Sequence, residues 1–401
     1  MRVDSNGFRF LAVLALLLNL TLARAQEGTI GPEPDFEIQG FDTSIAGGTG
    51  DLDLADGSFV GNPLNRLAEK WPADLVIAPV PGYSPQLGWN LKLAGGYFLS
   101  SAANDARDRP SLLGGFVMGA ENGSYAYGGG ADFHLYQDAL RIKLGAAYAD
   151  IRYRFYGIGN EANDRDIGLD IVQEGPLYFA TASWRVWKDL YLGVGYLGGN
   201  VDSSLRVVIP GIDALAPTLN LDVGAYTIPI QVDSRDHQQF PRRGWLVTVR
   251  GSLYRESAGS DFDAEIFKVS VNRYLPMREQ DVLALRMLAK TASDEAPFFL
   301  LSSFGGSTDL RGYPAGRYRD RVMYALQGEY RWWLNNRWIL TGFAGFGEVA
   351  PSFSRIGENF LPAGGIGARF VLSQKHRVSL SADLAVGEDG AEFYFGVGEA
   401  F

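Results

Sequence analysis

Three places in this sequence gather residues that could do chemistry. Asp132 and His134 stand two apart, so in a strand they share one face. An imidazole beside a carboxylate is the core of an acid–base or hydrolase arrangement. No activated serine can be set beside them, and the pair reads as polar groups on an inward face. Gly193-Val-Gly-Tyr-Leu-Gly198 has the G-x-G-x-x-G spacing. It lies inside a strand pattern and opens no helix, so no nucleotide is expected there. Asn104, Asp105 and Asp108 crowd one turn but lack the spacing, the glycine and the glutamate of a calcium loop. They read as a solvated turn. The remaining histidines, His237 and His376, fall in a polar turn and at a strand start and read as structural. The chain has no cysteine, which excludes a thiolate nucleophile, a thiolate metal site and any disulfide framework. The expectation is a protein that is not an enzyme and takes no cofactor and no metal.

The elements carrying these residues are short strands with a period of two. In Arg321–Leu334 the even positions are Val322, Tyr324, Leu326, Gly328, Tyr330, Trp332 and Leu334; the odd ones include Gln327, Glu329 and Arg331. One face suits lipid with an aromatic end, the other a wet lumen. Arg377–Val386 sets Val378, Leu380, Ala382 and Leu384 against Ser379, Ser381 and Asp383. Leu140–Tyr156 changes parity near Ala149, and Ile171–Val186 is apolar on both faces; a bulge or a strand rising above a membrane would explain either. Sixteen strands follow one another from residues 74–82 to residues 392–401. Short turns at 136–139, 187–189 and 335–336 alternate with longer loops at 156–169, 204–221, 293–320 and 348–362.

The two ends agree with export. Arg2 and Arg9 precede the apolar stretch Phe10–Leu18, and Ala23-Arg-Ala25 has the form of a cleavage site, so residues 1–25 read as a signal peptide. No run of 18 apolar residues follows, so no helix is expected to span a membrane. At the other end Phe393, Phe395, Val397 and Phe401 alternate, broken only by Glu399. A chain stopping on an aromatic residue in such a strand resembles an outer-membrane β-barrel. Fifty Gly, 19 Tyr, 8 Trp and a mean hydropathy of -0.05 fit a barrel, in which only half the strand residues face lipid. Residues 1–25 hold three Arg and one Asp, so their removal takes the formal charge from -10 to -12. Such an acidic chain is a poor nucleic-acid binder. Residues 26–72 read as a short periplasmic segment, Gly- and Asp-rich, with one helix over Pro63–Lys70 capped by Asn62. Residues 73–401 read as the barrel.

Two motifs narrow the reading. Asp233-Ser-Arg-Asp-His-Gln-Gln-Phe-Pro-Arg-Arg-Gly-Trp245 is a polar turn into a strand, with Asp233, Arg235, Asp236, Pro241, Gly244 and Trp245 as its marks. Phe304-Gly-Gly-Ser-Thr-Asp-Leu-Arg-Gly-Tyr313 lies in the longest loop and contributes Gly305, Gly306, Leu310, Arg311, Gly312 and Tyr313. With Phe155–Asn160 and Phe343–Ala350, they resemble the BamA/TamA superfamily of outer-membrane assembly barrels, also called the bacterial surface antigen family. The resemblance covers roughly residues 73–401. It implies an all-β, 16-stranded antiparallel transmembrane barrel whose extracellular loop folds back into the lumen.

The resemblance also implies that Arg311 meets acids on the inner wall. A guanidinium in a narrow lumen needs a paired carboxylate, and Glu329 and Asp383 face inward by parity. Where the family has Asp in the Phe343–Ala350 segment this chain has Gly345, with Glu348 three residues on as a further candidate. Residues 26–72 are too short for a periplasmic POTRA domain, so the chain resembles a branch without them. Pro79 and Pro81 in the first strand and Gly396 and Gly398 in the last, ahead of Phe401, make poor ladder partners and predict a weak seam. The implied role is assisting insertion or translocation of protein or lipid at the outer membrane of a Gram-negative bacterium by lateral opening. Its partners would be outer-membrane lipids and a periplasmic partner or protein substrate, with no nucleic acid or nucleotide. The alternative is a passive narrow pore or structural barrel.

Overall fold

The computed structural model describes residues 75–84, 86–99, 111–159, 169–209, 212–215, 219–236, 240–306, 309–373, 378–397, 399 and 401. The expected signal peptide (1–25), the segment 26–72 with its helix, the turn at 104–108, His237, His376 and Gly398 lie outside these residues.

Sixteen antiparallel strands close into a barrel. Its wall begins with β1 (Leu75–Ser84), β2 (Gly88–Leu99), β3 (Ser111–Ala120), β4 (Tyr125–Leu135), β5 (Leu140–Phe155), β6 (Leu169–Trp187) and β7 (Leu190–Ile209). After β8 (Ile212–Leu215), a short strand folded onto the far end of β7, it continues with β9 (Leu219–Asp233), β10 (Gly244–Tyr254), β11 (Ala264–Pro276) and β12 (Val282–Ala292). The hairpin β13 (Ser302–Phe304) and β14 (Tyr318–Asp320) belongs to the long loop. The wall ends with β15 (Val322–Trp333), β16 (Trp338–Ala350), β17 (Leu361–Ser373), β18 (Val378–Gly387) and β19 (Gly390–Val397). Each wall strand pairs with its neighbours, and β19 returns to β1.

Period-two patterning explains the wall. Along β15, Met323, Ala325, Gln327, Glu329 and Arg331 point inward and are buried, while Trp332 and Tyr330 face out. Along β18, Asp383 and Ala385 are buried and Leu384 and Val386 are exposed. The apparent parity change in β5 has a specific cause. Its register with β6 runs unbroken from Leu140–Trp184 to Phe155–Leu169, so no bulge is present. Odd positions stay inward throughout. Beyond Ala149 those odd positions become apolar (Ile151, Tyr153) and pack with Leu87, Met118 and Ile171, while Arg152 and Arg154 face out. A strand of 16 residues outruns the roughly 9–11 that cross a bilayer, so its far end stands clear of lipid.

The long loop fills part of the lumen. The chain between β12 and β15 folds back inside, where Phe304, Leu310, Tyr313 and Tyr318 form a buried core with Leu288, Met323, Ala325, Val349 and Leu361 from the wall. Phe304 stacks on Tyr318 at 5.7 Å, and Tyr313 meets both edge-on. At the rim shared by the first residue of β1 and the last of β19, Phe240 closes the lumen against Ile339, Val371 and Trp333.

Candidate functional site: a charge network in the lumen

The returning loop needs two unusual fits. Gly312 has φ +116, and a Cβ there would lie 3.1 Å from Val386 backbone and 3.1 Å from the Ala363 side chain. Only glycine allows so close a pass over β18. Leu310 occupies space left by two wall glycines: a Cβ on Gly345 would stand 3.0 Å from Leu310 Cδ1, and one on Gly347 3.1 Å from Cδ2. The loop is pinned further by Gly312 N, which donates to Tyr394 Oη at 3.0 Å, and by Tyr313 Oη, which donates to Pro362 O at 2.6 Å. The Phe155–Asn160 segment meets the same loop from above. Gly159 N donates to Arg319 O at 2.7 Å, and Arg317 lies 4.9 Å over the Tyr156 ring.

These contacts deliver Arg311 to the middle of the barrel, fully buried. Nη2 donates to Glu329 Oε2 at 2.6 Å and Nη1 to Asp383 Oδ2 at 2.8 Å. Of the three acids considered from sequence, the structure brings Glu329 and Asp383 to Arg311 and leaves Glu348 elsewhere. Glu348 accepts from Tyr324 Oη at 3.2 Å and from the amides of Gly357, Glu358 and Asn359 at 2.7, 3.0 and 3.0 Å, so it organises the loop after β16.

Two further arginines join the cluster. Arg331 Nε donates to Glu329 Oε1 at 2.7 Å, and Arg369 Nη1 donates to Asp383 Oδ1 at 2.5 Å. Both also approach Glu399 at 3.3 Å. Arg331 was visible as an inward position of its strand. Arg369 would have followed from the same parity count on β17. Glu399 left one trace in the sequence, as the break in the terminal apolar alternation.

Phe401 departs from the strand expected to run to residue 401. β19 stops at Val397, and Phe401 turns inward onto Tyr274, Val282 and Ala284, with its terminal oxygen accepting from Arg331 Nη2 at 2.6 Å. The buried guanidiniums and the apolar corner of β11 and β12 compete with the lipid face and win. At the seam, Tyr83 opposite Phe395 is the one register pair joining β1 to β19 among the described residues, whereas β18 and β19 pair from Leu380–Val397 to Gly387–Gly390. Pro79 and Pro81 pair with Leu93 and Leu91 of β2. Gly396 lies opposite Ser381 of β18.

The turn motif builds the rim. Asp233 Oδ1 accepts from Arg235 N and Nε at 3.1 and 3.2 Å, and Asp236 Oδ1 accepts from the amides of Arg242 and Arg243 at 2.9 and 3.2 Å. Pro241 is buried beside Phe240. Gly244, at φ +112, brings the strand onto Ser234, and Arg273 covers the Trp245 ring at 4.7 Å.

Asp132 and His134 enter a second polar cluster near the same rim. His134 Nε2 lies 3.3 Å from Asp132 Oδ1, its Nδ1 2.7 Å from Asp138 Oδ1, and Lys143 Nζ 2.9 Å from Asp132 Oδ2. Asp138 also accepts from Arg141 Nε and Nη2 at 2.8 and 2.7 Å and from Tyr191 Oη at 2.8 Å. Sequence reading missed Asp138, whose role depends on a turn with Tyr136, Gln137 and Asp138 all at positive φ.

Residues 225–401 match the Omp85 superfamily domain. No curated protein matches the chain in sequence. Among solved structures, BamA from Haemophilus ducreyi lacking POTRA domains 1–3 is similar with a TM-score of 0.56 at 14% identity, over 81% of this chain and 70% of that one. CdiB from Acinetobacter baumannii has a TM-score of 0.54 at 11% identity, over 80% of this chain and 59% of that one. CdiB from Escherichia coli has a TM-score of 0.56 at 12% identity, over 82% and 63%. This chain thus spans less than two thirds of either CdiB chain. At these identities the likeness is one of fold.

Proposed function

With residues 225–401 forming an Omp85 superfamily domain of an outer-membrane β-barrel, we propose that the protein assists insertion or translocation of protein or lipid by opening between β1 and β19. The observation that carries this reading is the seam. Among the described residues one register pair, Tyr83 with Phe395, stands where every other neighbouring pair of wall strands has a long ladder. Each lost ladder hydrogen bond forgoes about 0.5–1.5 kcal/mol, so the seam is the weakest line along which the wall can part. Outer-membrane lipid is one partner; a protein substrate or periplasmic partner is the other. In this reading the segment 26–72 lies in the periplasm and residues 1–25 are the export signal.

A second reading, a passive or structural barrel, draws on the loop inside the lumen. Arg311, Glu329 and Arg369 are inaccessible to solvent, as expected where the loop obstructs the lumen. The two readings separate when the seam is locked. Tyr83→Cys with Phe395→Cys, oxidised in a chain otherwise free of cysteine, should abolish complementation of a depletion strain and disturb its outer-membrane proteome or lipid asymmetry. Full complementation by the locked barrel would leave the passive reading.

A further inference from the structure

Three guanidinium groups, those of Arg311, Arg331 and Arg369, are buried together in the lumen. The wall supplies two carboxylates, Glu329 and Asp383. The third anion is Glu399, from beyond the end of β19. Its side chain is 3% exposed and lies 3.3 Å from Nε of both Arg331 and Arg369. With Glu399 inside, three side-chain cations face three side-chain anions, and Phe401 O also accepts from Arg331 Nη2 at 2.6 Å. Without it the buried guanidiniums outnumber the buried side-chain carboxylates, and Arg331 and Arg369 each lose an ion partner, which is unfavourable in a desolvated site.

The sheet offers Glu399 little in return. Continuing the Tyr83–Phe395 register would set residue 399 opposite Pro79 and residue 397 opposite Pro81. Proline has no N–H to give a ladder. Phe401 adds to the inward pull, through its ring on Tyr274, Val282 and Ala284 and its terminal oxygen on Arg331.

We propose that Arg331 and Arg369 form an internal receptor for the Glu399 carboxylate. Its capture holds the end of β19 inside the barrel, away from β1. Because Glu329 bridges Arg331 and Arg311, the same capture couples the terminal segment to the seated loop. The tie to seam opening rests on the function proposed above; the capture and the coupling do not.

The test uses the full-length barrel, with folding checked by heat-modifiable gel migration. Cysteines at Ala284 and Phe401 are bridged by a short bismaleimide. Cross-linking should proceed with Glu399 present and fall with Glu399→Gln. A cross-link indifferent to residue 399 overturns the receptor. Coupling is read from unfolding rates of Arg311→Met, Glu399→Gln and the double variant. No ion pair or hydrogen bond joins Arg311 to Glu399 among the described residues, so a purely local role predicts additivity. Attraction between opposite charges in one buried network predicts that the double variant, which loses one cation and one anion, unfolds about tenfold or more slowly than the product of the single effects implies. Additive effects overturn the coupling. If a locked seam proved harmless in cells, the opening reading would fall and both measurements would stand.

Discussion

Arg311 lies face-on to Phe343, its guanidinium carbon 3.5 Å from the ring centroid, while its edges fork to Glu329 and Asp383. The aromatic face and two carboxylates thus satisfy one planar cation from three wall strands, β15, β16 and β18. Arg311→Ala leaves both acids buried beside fewer cations and should cost about 3–5 kcal/mol of barrel stability. Arg311→Lys keeps the charge but loses the fork and the stacking, and should fall between the two. Urea unfolding followed by gel migration checks the order; an alanine variant as stable as the parent would rule out the fork as a structural tie.

Leu310 and Gly345 should behave as one unit. Gly345→Ala forces a methyl into the space held by Leu310 and should cost about 1–3 kcal/mol. Leu310→Ala removes buried side chain and should cost about 2–5 kcal/mol. Combined, the second change makes room for the first, so the double variant should be more stable than the sum. A simple sum would mean that the Gly345 backbone clash with Leu326 dominates.

Arginine on the outer wall should be tolerated by depth. Leu384 and Ile366 face out from the body of β18 and β17, and Trp338 opens β16 at the rim. Leu384→Arg or Ile366→Arg should cost roughly 2–4 kcal/mol and deplete assembled barrel, and Trp338→Arg about 0–1. Equal yields of folded protein at all three positions would contradict the assignment of this face to lipid.

The left-handed turn Tyr136–Asp138 should improve with glycine at its middle. Gln137 has φ 56, a region that costs a side-chain-bearing residue about 1–2 kcal/mol, and Gln137→Gly should recover part of this. Asp138→Ala should do the reverse, since Arg141, Tyr191 and His134 all lose a buried partner. Thermal unfolding of the two variants should shift in opposite directions.

Much of the wall was legible because period two leaves a mark at every residue: the strands read in Arg321–Leu334 and Arg377–Val386 match β15 and β18 to within a residue at each end, and Glu329 and Asp383 were read as inward. Three things were hidden. β5 imitates a parity change because the same inward face turns from Arg141 and Lys143 near one rim to Ile151 and Tyr153 at the far end. Gln327 looks like a tolerant lumen position, yet Arg311 packs over it and its Oε1 accepts from the Arg311 amide at 3.4 Å. Phe401 and Glu399 leave the strand because of partners about seventy and thirty residues away in sequence, which no local pattern can show.

The wall is not of even height. β6 and β7 run 19 and 20 residues, whereas β19 runs 8 and β1 runs 10. At about 3.4 Å per residue and a tilt near 40°, eight residues rise roughly 20 Å, against an apolar barrel band of about 25 Å. Among the described residues the wall beside the seam is thus shorter than the apolar band, and the wall on the opposite flank is not. A bilayer is thus expected to thin more beside β1 and β19 than beside β6 and β7, which lipid-thickness measurements around the reconstituted barrel would check.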